Sequence, residues 1–425
     1  MNITRIEAAN YKSFDLLDVE LRPLNLLVGA NASGKSNVLS AIRLLKNTAA
    51  HGLDNALSIA GGVEYVRNTA ISAGANMRIA VSYGHPIRQV ENISRSLTIG
   101  VRSLKATYEF SLAFPTAGRA YKIASDKLSL AFEIMRLERN EERKLHEKEH
   151  IGDVQVTAEI RSGKVHVHRE PSTPDLRKAF NHLAPFEKAS IPFPKRSLLI
   201  ESPYFHILNY FTNPFDEIGM YDFDPRLSKK AASITGRTDL DEDGANLSIV
   251  LRRIIESPRQ KRKFMNLLSD LLPFVSDLHV MKFADRSYLF TVRERFQQKV
   301  PRLPGTFVSD GTIHIAAIIA ALYFTPKDVI IIEEPERNLH PQLISRLLQM
   351  FTEVSAKKQL LLTTHNPEVV RHAEHADLML VSRSQEGFSR LSRPSDMEQL
   401  KSFLTADMGM EELFVQNFLG LASNA

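Results

Sequence analysis

The chain contains no cysteine, which excludes disulfides and thiolate metal sites and fits a cytoplasmic protein. It has no uninterrupted apolar run long enough for a transmembrane helix, so no membrane span is expected. Its start, MNITRIEAANYKSF, lacks the zones of a signal peptide and alternates as a strand does. No internal repeat and no low-complexity tract interrupts it. Strong charge of either sign is also missing. A net +5 over 425 residues allows DNA or RNA as a partner but is far below the density of a dedicated DNA-binding tail. What is present is the balance of a globular chain, 43% hydrophobic and 24% charged. The length suits one large domain or two to three smaller ones.

Four segments are expected: 1–76 as a first core lobe, 77–170 as a β-rich subdomain, 171–300 as a mainly helical insertion, and 301–425 as a second core lobe. NITRIEA and LLDVEL alternate. LNLLVG is a continuous apolar run ending in Gly29, as a buried strand would, and residues 37–48 suit a helix. Alternation then dominates from 77 to 170, broken by the charged RLERNEERKLHEKEH (136–150), which reads as a solvated helix or a loop. Residues 171–275 read as largely helical, and LHVMKFA with SYLFTVRERF as a hairpin. From 307 onward, helix, strand (328–332), helix (341–355), strand (359–364), helix (367–373) and strand (377–382) alternate, which predicts a parallel sheet.

Chemistry concentrates in this α/β pattern. GANASGKS fits G-x-x-x-x-G-K-[ST] with Gly29, Gly34, Lys35 and Ser36, preceded by an apolar strand and followed by a helix. Backbone N–H groups of such a loop wrap phosphates, the lysine reaches the β/γ-phosphates and the hydroxyl faces Mg²⁺. Asn31 within the loop and Asn37 just after it are grouped with the nucleotide-binding residues. VIIIEEPE delivers Glu333 and Glu334 from a buried strand to the sheet edge where α/β folds bind ligands. Glu333 is assigned to Mg²⁺ with Ser36, and Glu334 to orienting and deprotonating a water. LLLTTHNPEVV repeats the design and places His365 for a γ-phosphate contact. Between them, ERNLHPQ puts Asn338 and His340 in the turn after the carboxylates.

The helix 311–324, in FVSDGTIHIAAIIAALYF, is apolar all round and should be buried, yet it opens on Ser309-Asp310-Gly311. Two readings stand: an ordinary cap, or an anion socket at a helix N-terminus. Asp310 is awkward beside a polyphosphate and should point away or cap backbone N–H groups. Weaker signals are His166 and His168 on one strand face, without a third metal ligand, and basic clusters at Arg252-Arg253 and RQKRK (259–263). Those clusters read as a solvated helix face or as a grip on nucleic-acid phosphates. RHAEH (371–375) has the wrong spacing for a zinc-protease helix.

In order, GANASGKS, the Ser309-x-Gly311 helix start, EEPE, NLHP and TTHNP resemble the ATP-binding-cassette ATPase heads of the RecF, SMC and OLD (overcoming lysogenization defect) proteins. NYKSF at 10–14 resembles that group's first turn and GMEELFVQNFLG its closing helix. IEEPE…LHP…TTHNP is most similar to OLD-like, stand-alone AAA-family ATPases often encoded beside nucleases in phage-defence systems. The resemblance covers roughly 1–50 and 300–390 and says little about 51–300. Three departures stand out: Glu333 where most such ATPases have Asp, Val-Ser-Asp-Gly-Thr in place of Leu-Ser-Gly-Gly-Gln, and a Q-loop glutamine for which Gln89 is the candidate.

The resemblance implies a P-loop NTPase of ABC-ATPase type: a mostly parallel core sheet with helices on both faces, an antiparallel β subdomain and a helical insertion. It implies Mg-ATP hydrolysis at Lys35, Glu334 and His365. It also implies that Ser309 and Gly311 cap the γ-phosphate of ATP held by a second copy, so that two chains, or a higher oligomer, sandwich ATP. The expected role is a switch for a separate effector or nuclease subunit in anti-phage defence, with no membrane partner. Two alternatives are a RecF/SMC-like DNA repair ATPase and a non-hydrolysing ATP sensor or scaffold holding a toxin.

Overall fold

The computed structural model describes the chain apart from residues 72–73, 85–87, 95–96, 116–119, 140–144, 172–190, 209–212, 235, 237–238, 284–285, 296–301 and 395–425. The chain forms two compact units, each made of non-consecutive segments. One comprises Met1–Leu21, Asn37–Glu217 and Ser384–Leu391, the other Arg22–Ser36, Ile218–Arg383 and Ser392–Ala425. GMEELFVQNFLG lies outside the described residues.

The first unit is built on a nine-stranded antiparallel sheet. Its order is Ile191–Pro192, Lys164–Pro171, Leu145–Arg161, Lys122–Arg139, Leu97–Ala113, Met77–Gly84, Asn2–Tyr11 and Phe14–Glu20, with Arg88–Ser94 also paired to Leu97–Ala113. Gln89 sits on that last strand, opposite Val101. The alternation read from 77 to 170 is therefore strand throughout most of its length. The charged stretch 136–150 is neither helix nor loop where described. Strand Lys122–Arg139 runs into it and Leu145–Arg161 runs out of it, pairing Arg136 with Glu149 and Glu138 with His146. Opposite charges on neighbouring strands, Arg136–Glu149 and Lys148–Glu138, take the place of the missing apolar alternation. Against the sheet, Phe205 meets Tyr108 edge-to-face and stacks on Phe215, with ring centroids 5.3 and 6.1 Å apart.

The second unit is α/β. Five parallel strands run in the order Ile218–Tyr221, Val329–Glu333, Gln359–Thr364, Leu24–Val28 and Leu378–Arg383. Leu24–Val28 and Gln359–Thr364 are buried along their whole length, which is why each reads as an apolar stretch, LNLLV and Leu360–Leu362. The segment 171–275 departs from its helical reading at Ile218–Tyr221, which is an edge strand of this core sheet. Its helices are concentrated in Leu247–Glu256 and Pro258–Leu271. A small antiparallel sheet contains the expected hairpin, Val275–Lys282 with Ser287–Glu294.

Helix Asp310–Phe324 is buried from Thr312 to Leu322, as its all-round apolar surface demands. It packs into one hydrophobic core with Ile330, Ile332, Leu360, Leu362, Leu268 and Phe264. Among the described residues, no helix is long and apolar enough to cross a membrane.

Candidate functional site

Parallel pairing in register brings three strand ends to one edge of the second unit. Val28 lies opposite Thr364, and Thr363 opposite Glu333. The chain segments leaving those ends are Gly29–Ser36, Glu334 onward and His365 onward, so residues about 300 apart in sequence meet by sheet register alone.

The loop after Val28 is shaped for an anion. Ala32 has φ +63° and Gly34 φ +117°, the alternation of left-handed residues that a phosphate-binding nest uses. A Cβ on Gly29 would sit 2.3 Å from the Val381 carbonyl oxygen, so only glycine fits there. Lys35 is 7% exposed, and its ammonium donates to the carbonyls of Gly29 at 2.7 Å and Ala30 at 2.9 Å. Burial lowers its pKa against the opposing pull of Glu334, Glu336 and Glu333. This cradle, with a cation at its base, fits a nucleotide polyphosphate. Asn31 is exposed at the loop tip. Asn37 gives its side-chain amide to Ser13 Oγ at 2.7 Å.

Ser36 Oγ donates to Glu333 Oε2 at 3.0 Å. A hydroxyl and a carboxylate side by side form an all-oxygen donor pair, which suits a hard divalent cation such as Mg²⁺. Glu334 is strained, with φ +46°. Its N–H is bound by the Thr363 carbonyl at 3.0 Å. Its Oε1 lies 2.8 Å from His365 Nδ1, and its Oε2 accepts from Arg337 Nη2 at 3.1 Å and Nε at 3.3 Å. Burial acts to raise the Glu334 pKa, but neighbouring His365 and Arg337 outweigh it and hold the carboxyl below its ordinary range. Glu336 is buried behind them. It accepts from Thr364 Oγ1 at 2.5 Å, while Thr364 Oγ1 accepts from the Asn366 N–H at 3.0 Å. Burial raises the Glu336 pKa.

Lys35, Ser36, Glu333, Glu334 and His365 thus gather as the sequence predicts. Ser309 has its contacts within its own helix. It is the N-cap of Asp310–Phe324, with Oγ accepting from Thr312 N at 3.3 Å and 2.8 Å from Thr312 Oγ1. Gly311 has a packing reason to be glycine: a Cβ there would lie 2.7 Å from the carbonyl oxygen of Asn338, itself at φ +64°. Asp310 is ion-paired with Lys229, which neutralises the carboxylate that looked misplaced beside a polyphosphate. His340 caps the next helix, accepting from Gln342 N at 3.3 Å.

Sequence reasoning missed Arg337, Asp222, Lys229 and Glu336. The charge of Arg337 directly after EEPE was a usable signal. Asp222 and Lys229 carried none, because they follow a strand read as helix.

The weaker signals lead elsewhere. His168 pairs with Glu170 at 3.1 Å, and the described residues hold no cluster of three metal-ligating side chains. Arg252 packs on Tyr288 and bonds Glu256 at 2.9 Å, and Lys261 bonds Asp277 at 2.9 Å, as on a solvated helix face.

A family model described as "AAA domain, putative AbiEii toxin, Type IV TA system" matches residues 24–371. No curated protein matches the chain. Among solved structures it is similar to an SMC head bound to the C-winged helix domain of ScpA, at 14% identity and TM-score 0.47, over 92% of this chain and 98% of that one. It is also similar to the SMC head domain from Thermotoga maritima, at 14% identity and TM-score 0.39, over 92% and 99%. An SMC head with extended coiled coil from Pyrococcus furiosus aligns at 13% identity and TM-score 0.40, over 95% and 99%.

Proposed function

The chain belongs to the AAA-domain family whose model spans residues 24–371, and on that premise we propose that it hydrolyses ATP and uses the nucleotide to switch between separate and paired chains. The observation that carries the reading is the meeting of the Gly29–Ser36 cradle, the Ser36–Glu333 oxygen pair and the Glu334–His365 pair at one sheet edge. Gly29, Gly34 and Lys35 hold the phosphates, with Asn31 and Asn37 completing the nucleotide set. Ser36 and Glu333 hold Mg²⁺, which supplies charge neutralisation when bound. Glu334 orients a water and takes its proton. His365 contacts the γ-phosphate and steadies that carboxylate.

Ser309 and Gly311 cap the γ-phosphate of the partner copy's nucleotide, with Asn338 beside them. Pairing Asp310 with Lys229 removes the repulsion that would oppose that approach. ATP bridges two copies where ADP does not, so the γ-phosphate is the differential contact that biases the two states. The family's description names a toxin of a toxin–antitoxin system, which supports a defence role beside a separate effector or nuclease. The deciding measurement is ATP turnover by purified protein, alone and with duplex DNA. Turnover abolished in Lys35→Ala supports the enzyme, and ATP binding without turnover selects the sensor. Tight, salt-sensitive DNA binding by the chain alone selects the repair reading.

A further inference from the structure

Arg337, unassigned within ERNLHPQ, occupies one side of the carboxylate assigned as the base, and Asp222, in no motif, holds its far end. An ionised carboxylate offers about four lone-pair directions on its two oxygens. Three nitrogen contacts are present on Glu334: Arg337 Nε and Nη2 on Oε2, and His365 Nδ1 on Oε1. Oε2 is therefore filled, and the remaining direction is on Oε1, beside the imidazole. The guanidinium is tethered from its other end, Nη1 donating to Asp222 Oδ1 at 3.1 Å. Asp222 directly follows strand Ile218–Tyr221, which pairs with Val329–Ile332, so the tether is rooted in the same sheet as the carboxylate it steers. A planar fork can grip two carboxylates at once, which a lysine ammonium on a flexible stem does poorly.

We propose that Arg337, held by Asp222, is a positioning residue that blocks Oε2 of Glu334 and leaves Oε1 as the oxygen that receives the attacking water. This rests on the hydrolysis reading above. In that step the water oxygen bonds to the γ-phosphorus while its proton passes to Oε1. The electron pair of the broken P–O bond leaves on the β-phosphate oxygen of ADP.

The test compares wild type with Arg337→Gln, Arg337→Lys, Asp222→Asn and the Asp222→Asn/Arg337→Gln double variant. Three quantities are read: steady-state ATPase kinetics, affinity for a fluorescent ATP analogue, and the His365 imidazole NMR resonances of nucleotide-free protein. Arg337→Gln is expected to lower kcat roughly 10- to 100-fold, with KM and analogue affinity within about twofold, because positioning and not binding is lost. Asp222→Asn should lower kcat about 3- to 10-fold, and the double variant should be no worse than Arg337→Gln, since Asp222 acts through Arg337. Arg337→Lys should fall between, and the His365 resonances should move in both single carboxamide variants. Where Arg337→Gln fails to fold, Arg337→Lys and Asp222→Asn carry the same comparison. Effects that multiply in the double variant, or an unchanged kcat with unmoved His365 resonances, overturn the proposal. A wild type that binds the analogue without turnover overturns the hydrolysis reading instead, and the His365 resonances then decide the Arg337 clamp alone.

Discussion

Lys35 shows what a single residue must reconcile. Its ammonium is nearly buried yet satisfied only by two carbonyls of its own loop, an arrangement that stores a cation for an incoming anion. Methionine keeps the stem and removes the charge. Lys35→Met should weaken labelled-ATP binding at least about 100-fold, ~3 kcal/mol, in a fluorescence titration. Folding stability in a urea titration should stay level or rise, because a desolvated charge has been removed.

Asp126 presents the opposite case, a carboxyl buried in the first unit. Burial pushes it up to about 7 against the Leu199 N–H, which donates to Oδ2 at 2.6 Å and favours the ionised form. A carboxyl whose folded pKa lies above its unfolded value binds more protons when folded. Its contribution is therefore full at acid pH and is lost as pH rises toward 7. Urea titrations from pH 5 to pH 7.5 should show wild type losing stability relative to Asp126→Asn. The steepest difference should be about 1.4 kcal/mol per pH unit. A constant difference across that range rules out the buried, proton-binding carboxyl.

At the level of elements, glycines mark where backbones collide. Gly311 lies in the first turn of a helix, where alanine ordinarily gains roughly 0.5–1 kcal/mol. Here the added Cβ meets the Asn338 carbonyl at 2.7 Å, and that carbonyl is fixed by a left-handed turn. The clash outweighs the propensity, so Gly311→Ala should cost about 1–3 kcal/mol in chemical denaturation. Gly74→Ala, with nothing within 4 Å of its Cβ, should be close to neutral.

The same contrast between local and distant causes explains what could be read beforehand. Helix Pro341–Ser355 and strand Gln359–Thr364 appear at the residues their sequence predicts, because proline punctuation and a short apolar stretch such as Leu360–Leu362 are local signals. Strand Ile218–Tyr221 has four residues, one of them Gly219, too short to show a period. The charged hairpin ends at Arg139 and Leu145 escaped notice because cross-strand ion pairs stand in for apolar alternation. In the site, the phosphate cradle and the two glutamates were legible from motif and strand context. Arg337–Asp222 was not, since its partners are 115 residues apart and meet only through strand pairing.

For the whole molecule, the question is whether a working site takes one chain or two. Ser309 caps its own helix and Asp310 holds Lys229, and the proposed reading has that N-terminus meet a nucleotide from another copy. Two consequences follow for mass and for mixing. Glu334→Gln should slow turnover on the proposed reading, and with saturating Mg-ATP its particles should then weigh twice the 47.9 kDa of one chain by mass photometry and return to one chain with ADP.

Mixing tests the shared site directly. A Lys35→Ala chain has no phosphate cradle but an intact Ser309, and a Ser309→Ala chain has the reverse. If each site joins the cradle of one chain to the helix start of the other, every mixed pair contains one fully intact site and one doubly damaged site. With random two-fold pairing, half the dimers are mixed, so an equimolar mixture of two inactive variants should recover about a quarter of wild-type turnover. A cis arrangement damages every site in every pairing and gives no recovery. The mixture therefore discriminates between the two whatever the identity of the effector, because the arithmetic depends only on which chain supplies which half of the pocket.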